Sequence, residues 1–165
     1  MTEDKGRRRL LAAAAAAVPA MMADLSPGAA SAATEPTSVN RHKQIMRRWF
    51  EEGWGGNLGL ADEIFDSTFT LSGKAAGPGG PKANVARTRA GFADIAVVIE
   101  QQVAEGDWVV TRYTARGTHT GEFSGVPATQ RKIIVPGIVM WRFVGDKAVE
   151  DWTMFDFPGL MRQIS

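Results

Sequence analysis

Two periods of hydrophobic and polar positions follow one another along this chain, and they divide it into a helical part and a strand part. Between residues 38 and 54, the apolar Ile45, Met46, Trp49 and Phe50 fall at i, i+1, i+4 and i+5, which gathers them on one face of a helix. The other face carries polar side chains that we expect to lie in solvent: Arg41, His42, Lys43, Arg47, Arg48, Glu51 and Glu52. A helix packed on a core is therefore the first predicted element.

Shorter elements follow this helix. A glycine-rich turn ends it, and the pattern predicts a short helix over 60–65 and a brief extended segment at Phe69 and Leu71. The segment 74–81, KAAGPGGP, has too much glycine and proline for regular structure and is interpreted as a loop. A third helix is predicted over 82–92.

Beyond residue 95 the period changes to the alternation typical of β-strands. Four strands rich in β-branched and aromatic residues are predicted, over 95–103, 109–118, 133–144 and 148–155. Consecutive strands joined by turns run antiparallel, and helices gathered on one side of such a sheet define an α+β domain. Pro136 inside the third strand indicates a bulge or a sheet edge, which bends the sheet. We therefore expect N-terminal helices packed on a curved antiparallel sheet with an internal pocket.

Composition narrows the classes of function. The 165 residues are 44% hydrophobic, which suits one domain with a real core. With 19 basic and 18 acidic residues, nothing favours binding to nucleic acid or to an anionic membrane surface. The chain has no cysteine, which excludes disulfides, thiolate metal sites and cysteine nucleophiles.

The first 33 residues have the layout of an export signal. Arginines at 7–9 precede Leu10 and Leu11, and an alanine-rich run follows before small residues at 30–33. The run is too short and too weakly apolar to span a bilayer, and the arginine pair before two leucines is typical of twin-arginine export to the periplasm or the exterior. A disordered basic tail or a mis-assigned start is the alternative. The predicted organisation is a signal peptide at 1–33, a linker at 34–38 and a domain at 39–165.

The stretch 116–132, RGTHTGEFSGVPATQRK, and the segment 137–164 after it, GIVMWRFVGDKAVEDWTMFDFPGLMRQI, resemble the SnoaL-like polyketide cyclase (ester cyclase) group of the NTF2-like superfamily. The matching elements are GTHTGEF, the GxP and ATxRK hairpin, the strand with Arg142, the GDK turn, the (E/D)W pair and the terminal RQI. The opening helix, IMRRWFEEGW, fits the same pattern, so the resemblance covers essentially all of 39–165.

This resemblance implies a cone of curved antiparallel sheet with helices over its mouth, often dimeric through the sheet. It also implies ring closure by an aldol reaction without cofactor or metal, with an aspartate as acid and base. Removing a proton next to a carbonyl requires a base in an apolar cavity, where its proton affinity rises toward neutral pH. The resemblance further implies a homodimer, a small apolar carbonyl substrate and no cofactor.

The chain departs from the family at both catalytic positions that the resemblance implies. An alignment without gaps through RQI puts the family aspartate on Thr153 and a second polar residue, a histidine, on Val139. Asp151 lies on the same strand face as Thr153 and is the candidate replacement, with a solvent or salt-bridge role as the alternative. Asp156 matches an aspartate of the wider family and is either a site residue or the N-cap of a helix over 157–164.

His119 is the third acid/base candidate, because it continues the inward positions of the second strand and its side chain titrates near neutral pH. The alternative is that it anchors the hairpin through hydrogen bonds. The only other histidine is far away in the sequence, and no acidic partner stands at ligand spacing, so no metal site is predicted. Further pocket candidates are Trp54, Phe65, Phe69, Val139, Trp141, Trp152, Thr153 and Phe155.

Two other enzyme types on this fold lack their required residues. An epoxide hydrolase of this type needs an aspartate and an arginine alternating on one strand, but Arg112, Thr114 and Arg116 alternate without an acid. A scytalone dehydratase type needs two pocket histidines, and only His119 is available. The leading hypothesis is a cofactor-free acid/base enzyme, and the alternative is a non-catalytic exported binding or dimerisation domain.

Overall fold

A computed structural model describes residues 38–165, which form helices packed on one mixed sheet. The α-helices are α1 (Ser38–Arg48), α2 (Leu60–Ile64), α3 (Gly79–Gly91) and α4 (Phe157–Ile164). The strands are β1 (Phe65–Leu71), β2 (Lys74–Ala75), β3 (Ala96–Glu105), β4 (Trp108–Thr118), β5 (Lys132–Val144) and β6 (Lys147–Phe155). The predicted signal peptide and almost all of the predicted linker lie outside the described residues.

The sheet has the strand order β2-β1-β6-β5-β4-β3. Only the pair β1 and β6 is parallel within this sheet, and the other neighbours are antiparallel. The four predicted strands are present, and β1 and β2 extend the sheet beyond them. Register shifts between Ile99 and Gln101 and between Arg142 and Phe143 bend it, as irregularities of this kind do. The α+β prediction is confirmed.

Strand β5 shows how the sheet separates two faces. Its buried residues alternate strictly with exposed ones, and the buried set is Ile133, Val135, Gly137, Val139, Trp141 and Phe143. The helices cover this inner face, and Met46, Trp49 and Phe50 pack in the same core, as predicted for the first helix. The outer face remains uncovered within residues 38–165, although it carries several apolar side chains.

Helix α1 passes into a π-helical turn, Trp49–Gly53, where an α-helix to Trp54 was expected. The backbone N–H of Trp54 donates to the carbonyl oxygen of Trp49 at 3.1 Å, the i to i+5 spacing of a π-turn. Glycine is required at 53, because a β-carbon there would run into the ring of Trp49. The wider turn lets Trp49, Phe50 and Trp54 all reach the space between helix and sheet.

His42 is buried, and its predicted solvent exposure is wrong. It stands four residues before Met46, so helical geometry turns it to the inner face despite its charged neighbours. Its Nε2 lies 2.8 Å from the carbonyl oxygen of Gly145, and its ring stacks on Phe143 with centroids 4.3 Å apart. The position of His42 in the helix therefore determines its burial, although its side chain is polar.

The segment 74–81 is more regular than its composition indicates. It contains β2, and α3 already begins at Gly79, two residues before Pro81. The prediction of a loop throughout is wrong because proline is tolerated in the first turn of a helix, where the backbone N–H has no partner within the helix.

Pro136 marks no bulge, but it does mark a local edge of the sheet, because the pairing of β5 with β6 ends at Gly137. Strand β5 lies between β4 and β6, and its pairing with β4 runs without a shift from Trp108 opposite Arg142 to Thr118 opposite Lys132. The carbonyl oxygen of Pro136 accepts from the N–H of Asp156, so this residue faces the end of β6. The missing N–H therefore costs no hydrogen bond, because the partner strand stops there.

Helix α4 completes β5 beyond the end of β6. The side chain of Gln163 accepts from the N–H of Ile134 at 2.8 Å and donates to its carbonyl oxygen at 3.1 Å. The side chain of Gln163 thus pairs with both backbone groups of Ile134, as a residue of a neighbouring strand would. This contact gives the terminal RQI a structural role. Leu160 and Ile164 add an apolar contact to the same region of the core.

The long connection between β4 and β5 folds back onto the end of α3. The N–H groups of Thr120 and Gly121 both donate to the carbonyl oxygen of Gly91, at 2.9 and 3.0 Å. A β-carbon at Gly121 would collide with the carbonyl oxygen of Ala90, so only glycine allows this approach. The connection therefore closes one end of the space between α3 and the sheet.

Candidate functional site

A cavity of about 390 Å³ lies between the helices and the inner face of the sheet. This volume is within the usual range for small-molecule sites. The structure places seven of the predicted pocket residues in its lining: Trp54, Phe65, Phe69, Val139, Trp141, Thr153 and Phe155. Trp152 does not line it, because strand alternation turns this residue to the outer face, where it is 47% exposed.

Asp151 brings a carboxyl group into this apolar cavity. Strand β6 alternates, so Asp151, Thr153 and Phe155 all line the cavity, as the sequence predicts. Asp151 is only 5% exposed, and no ion pair within residues 38–165 includes it. The alternative of a solvent or salt-bridge residue is therefore wrong for this position.

Two side-chain donors hold the Asp151 carboxylate. Trp141 stands directly opposite on β5, and its indole Nε1–H donates to Oδ2 at 2.8 Å. The hydroxyl of Thr153 lies 3.0 Å from Oδ1 and 3.1 Å from Oδ2, so its proton is available to either oxygen. Thr153, the position at which the resemblance implies an aspartate, is thus a hydrogen-bond partner of Asp151.

Burial raises the pKa of Asp151 from its ordinary 3.8 to about 6. The hydrogen bonds from Trp141 and Thr153 favour the charged form and lower the pKa, but desolvation is the larger effect. A carboxyl group with this pKa is mostly ionised at neutral pH and still takes up a proton readily. This is the property that a general base and acid near neutral pH requires.

Tyr113 lines the same cavity from β4, directly opposite Gly137 on β5. Its ring lies across that glycine and against Phe50, with ring centroids 5.5 Å apart. Burial, and then the charge of Asp151, raise the pKa of Tyr113 to about 12. The sequence indicates that this residue points inward, but polarity alone gave no reason to include it among the site residues.

His119 lies outside the cavity lining. It is fully buried, its Nδ1 lies 3.0 Å from the hydroxyl of Thr129, and its ring packs on Phe92. Its backbone N–H donates to Arg131 and its carbonyl oxygen accepts from Gln130. These contacts match the structural alternative, in which His119 anchors the hairpin connection.

Asp156 also lies outside the cavity lining and is exposed. Its Oδ1 accepts from the N–H of Gly159 at 2.8 Å, which makes it the N-cap of α4. Of the three predicted acid/base residues, the structure therefore brings only Asp151 into the cavity. The other two hold elements that close the cavity at its ends.

A few polar side chains stand on the helix and hairpin side of the cavity: Asn84, Arg87, Thr88 and Ser124. Arg87 donates to the side-chain oxygen of Asn84 at 3.0 Å. Asn84, Arg87 and Thr88 lie on α3, and none of the four was a predicted site residue.

Two further features bear on the class of site. Within residues 38–165, no group of three or more histidine, aspartate or glutamate side chains is arranged to hold a metal ion. Among the same residues, no helix has both the length and the apolar character needed to cross a membrane.

Comparison with known proteins places the chain among cyclase-like proteins. A family model described as SnoaL-like polyketide cyclase matches residues 44–164. A candidate SnoaL-like polyketide cyclase from Jannaschia sp. CCS1 has 27% identity and a TM-score of 0.72, over 79% of this chain and 96% of that chain. No curated protein matches the sequence.

Two more solved structures are similar. A candidate polyketide cyclase from Acidithiobacillus ferrooxidans has 26% identity and a TM-score of 0.69, over 75% of this chain and 94% of that chain. IdmH, a candidate polyketide cyclase from Streptomyces antibioticus, has 27% identity and a TM-score of 0.67, over 74% of this chain and 96% of that chain.

The raised pKa of Asp151 predicts a pH-dependent loss of stability. Because the folded protein keeps this proton up to about pH 6 and the unfolded chain loses it near 3.8, unfolding becomes easier as pH rises between those values. The difference corresponds to about 3 kcal/mol. We expect Asp151→Asn, which carries no charge, to gain about this much stability relative to the wild type between pH 4 and pH 7.

Urea unfolding of both proteins across this range measures the difference, and the contributions of all other carboxyl groups cancel in it. A constant difference between pH 4 and pH 7 would contradict a raised pKa at Asp151.

Proposed function

The chain belongs to the SnoaL-like polyketide cyclase family, and from this membership we propose that it is a cofactor-free enzyme acting on a small apolar carbonyl compound, with Asp151 as acid and base. The observation that carries the proposal is the Asp151 carboxylate, 5% exposed, in the wall of an apolar cavity and held by two donors.

The proposed reaction begins with proton removal next to a carbonyl group. The Asp151 carboxylate takes the α-proton, the C–H electron pair becomes the C=C bond of an enolate, and the carbonyl π electrons move to oxygen. The neutral acid then returns the proton at the end of the reaction, so no net proton is consumed. A pKa of about 6 suits both steps, because the charged form predominates at neutral pH and the neutral form remains accessible.

The cavity supports a small and largely apolar substrate. Its volume of about 390 Å³ and its aromatic walls favour a compact ring system or a folded chain over a long polar molecule. Trp49, Phe50 and Trp141 present ring surfaces to the cavity, so apolar contact supplies most of the binding.

A non-catalytic small-molecule binder is the second candidate. The observation that favours it is Val139, an apolar residue at the position where the family resemblance implies a catalytic histidine. A binder has no need for a titrating carboxyl group in its cavity, so the two candidates differ in what Asp151 does.

Substitution of Asp151 tests catalysis directly. We expect the wild type to accelerate exchange of the α-protons of an apolar ketone such as 2-tetralone in D₂O, followed by NMR. Asp151→Asn keeps the acceptor for Trp141 but removes the base, so exchange should fall by about 100-fold or more. In the wild type, kcat/KM should rise with pH through about 6, because only the ionised carboxylate accepts a proton.

The matched control is Asp156→Asn, which removes another carboxylate while retaining a good N-cap for α4. It should exchange at the wild-type rate. Equal exchange in the wild type and Asp151→Asn, with the ketone bound equally well by both, would support the binder instead.

We further propose that two copies pair through the outer face of the sheet. Exposed apolar side chains cluster there on adjacent strands, with Ile138 opposite Met154 and Met140 opposite Trp152. The ion pair between Arg142 and Glu150, 2.8 Å long, borders this apolar centre. An apolar centre with a charged border on a single face suits a two-fold interface, in which the same surface meets its own copy.

A charge at the centre of this face should separate the copies. Met154 is 80% exposed, so Met154→Asp leaves the fold of one copy intact but buries a carboxylate if the faces pair. Light scattering after gel filtration should give a dimer for the wild type and a monomer for the variant. Gln44→Asp, an equal change at an exposed position of α1, should remain dimeric. A monomeric wild type would refute the pairing.

Finally, we propose that residues 1–33 direct export by the twin-arginine pathway, as their arginines and alanine-rich run suggest. Replacing arginines 7–9 by lysines keeps the charge but removes the arginine pair. In a bacterial host with this pathway, the wild type should accumulate outside the cytoplasm with a shortened N-terminus, and the lysine variant should stay inside at full length. Cell fractionation and mass spectrometry measure this. Equal export of both would exclude twin-arginine recognition.

A further inference from the structure

Tyr113 is the only tyrosine in the sequence, and its side chain crosses from its own strand over the neighbouring one. A β-carbon on Gly137 would lie 2.5 Å from Tyr113 Oη and 2.9 Å from its Cε1, closer than real β-carbons approach. The hydroxyl end of the ring therefore lies against Gly137 on β5, the strand between β4 and β6. Strand β6 is the one that carries Asp151 and Thr153.

The Tyr113 hydroxyl has no hydrogen-bond partner among residues 38–165. Tyrosine hydroxyls in apolar surroundings usually have one. Tyr113 also lines the cavity. A polar group in this position is available to an oxygen atom of the ligand.

The hydroxyl can donate but does not readily lose its proton. Burial and the nearby Asp151 charge raise the pKa of Tyr113 to about 12, so the hydroxyl is protonated throughout the neutral range. Tyr113 and Asp151 both line this cavity of about 390 Å³, so one small ligand can contact both groups.

We infer that Tyr113 is a catalytic residue whose hydroxyl donates a hydrogen bond to the carbonyl oxygen of the substrate, while Asp151 removes the proton from the adjacent carbon. This inference rests on the proposed function and assigns the substrate to the carbonyl compounds that form an enolate. As the C–H pair moves into the C=C bond and the carbonyl π pair moves to oxygen, Tyr113 stabilises the negative oxygen and keeps its own proton.

The physical advantage of this arrangement is large in an apolar cavity. Donors that already point to the site of a developing negative charge need no reorganisation during the reaction, and loss of one such donor typically costs about 100-fold to 1,000-fold in kcat. Gly137 supports the arrangement by leaving room for the ring, so it is a positioning residue.

The inference can be tested without turnover by using 4-nitrophenolate, a stable ring with a negative oxygen, as the probe. Asp151→Asn serves as the background, because its neutral amide resembles the acid after it has taken the proton. We expect Tyr113→Phe in this background to weaken 4-nitrophenolate binding by about 10-fold to 100-fold, as for loss of a hydrogen bond to a charged group. Nitrobenzene, which lacks the negative oxygen, should bind both proteins equally.

Two further measurements keep the result interpretable. Because there is one tyrosine, ¹³Cζ-tyrosine labelling gives one NMR signal, which should shift with 4-nitrophenolate and remain in place with nitrobenzene. Gly137→Ala in the same background displaces the ring without removing the hydroxyl, and it should also weaken phenolate binding selectively. Equal weakening for both probes, or no weakening, would overturn the inference.

The proton-exchange assay separates this inference from the proposed function. If Asp151→Asn abolishes exchange and Tyr113→Phe leaves kcat unchanged, only the role of Tyr113 fails. If neither variant changes exchange, the proposed function fails, and the phenolate comparison still decides whether Tyr113 binds a negative oxygen.

Discussion

The hydrogen bond from Trp141 Nε1 to Asp151 Oδ2 joins the two strands whose register determines the rest of the site. An ionised carboxyl group in an apolar wall is costly unless donors meet it, so Asp151 depends on having Trp141 directly opposite. The same register places Val139 opposite Thr153 and Gly137 opposite Phe155. One cross-strand pair therefore aligns the acid, its second donor and the glycine on which Tyr113 rests.

The closure of the cavity follows from groups that take over where β6 ends. Asp156 begins α4 as its N-cap, and Gln163 of that helix pairs with the backbone of Ile134 on β5. At the other side, the connection after β4 is tied to the carbonyl oxygen of Gly91, and His119 anchors it from within. Two residues predicted as acid/base candidates thus close the ends of the cavity: Asp156 accepts from the backbone of Gly159, and the His119 ring lies 3.0 Å from the Thr129 hydroxyl.

The fold class and the residues of the cavity walls could be predicted because they depend on the periodic spacing of apolar residues along helices and strands. Alternation along β6 was enough to put Asp151, Thr153 and Phe155 on one wall, and the family motifs supplied the antiparallel part of the sheet but not the parallel pairing of β1 with β6. The features that could not be predicted are contacts between particular atoms. Nothing in the sequence shows that Asp156 meets the N–H of Gly159, that His42 meets Gly145, or that β6 stops where Pro136 needs no partner. The residue type alone does not distinguish a polar side chain that caps a helix from one that lines a cavity.

The proposed use of Asp151, where the family resemblance implies an aspartate at position 153, has a consequence for the substrate. Two residues along a strand preserve the face but move the side chain by about 7 Å. Asp151 lies opposite Trp141, which in turn pairs with Val109, while Thr153 occupies the level that the family resemblance gives to the aspartate. A substrate seated for a base at position 153 would present its acidic carbon to a hydroxyl that cannot remove the proton. With Asp151 as the proposed base, the ligand must place that carbon one pleat further along the wall, so membership in the family does not identify the substrate.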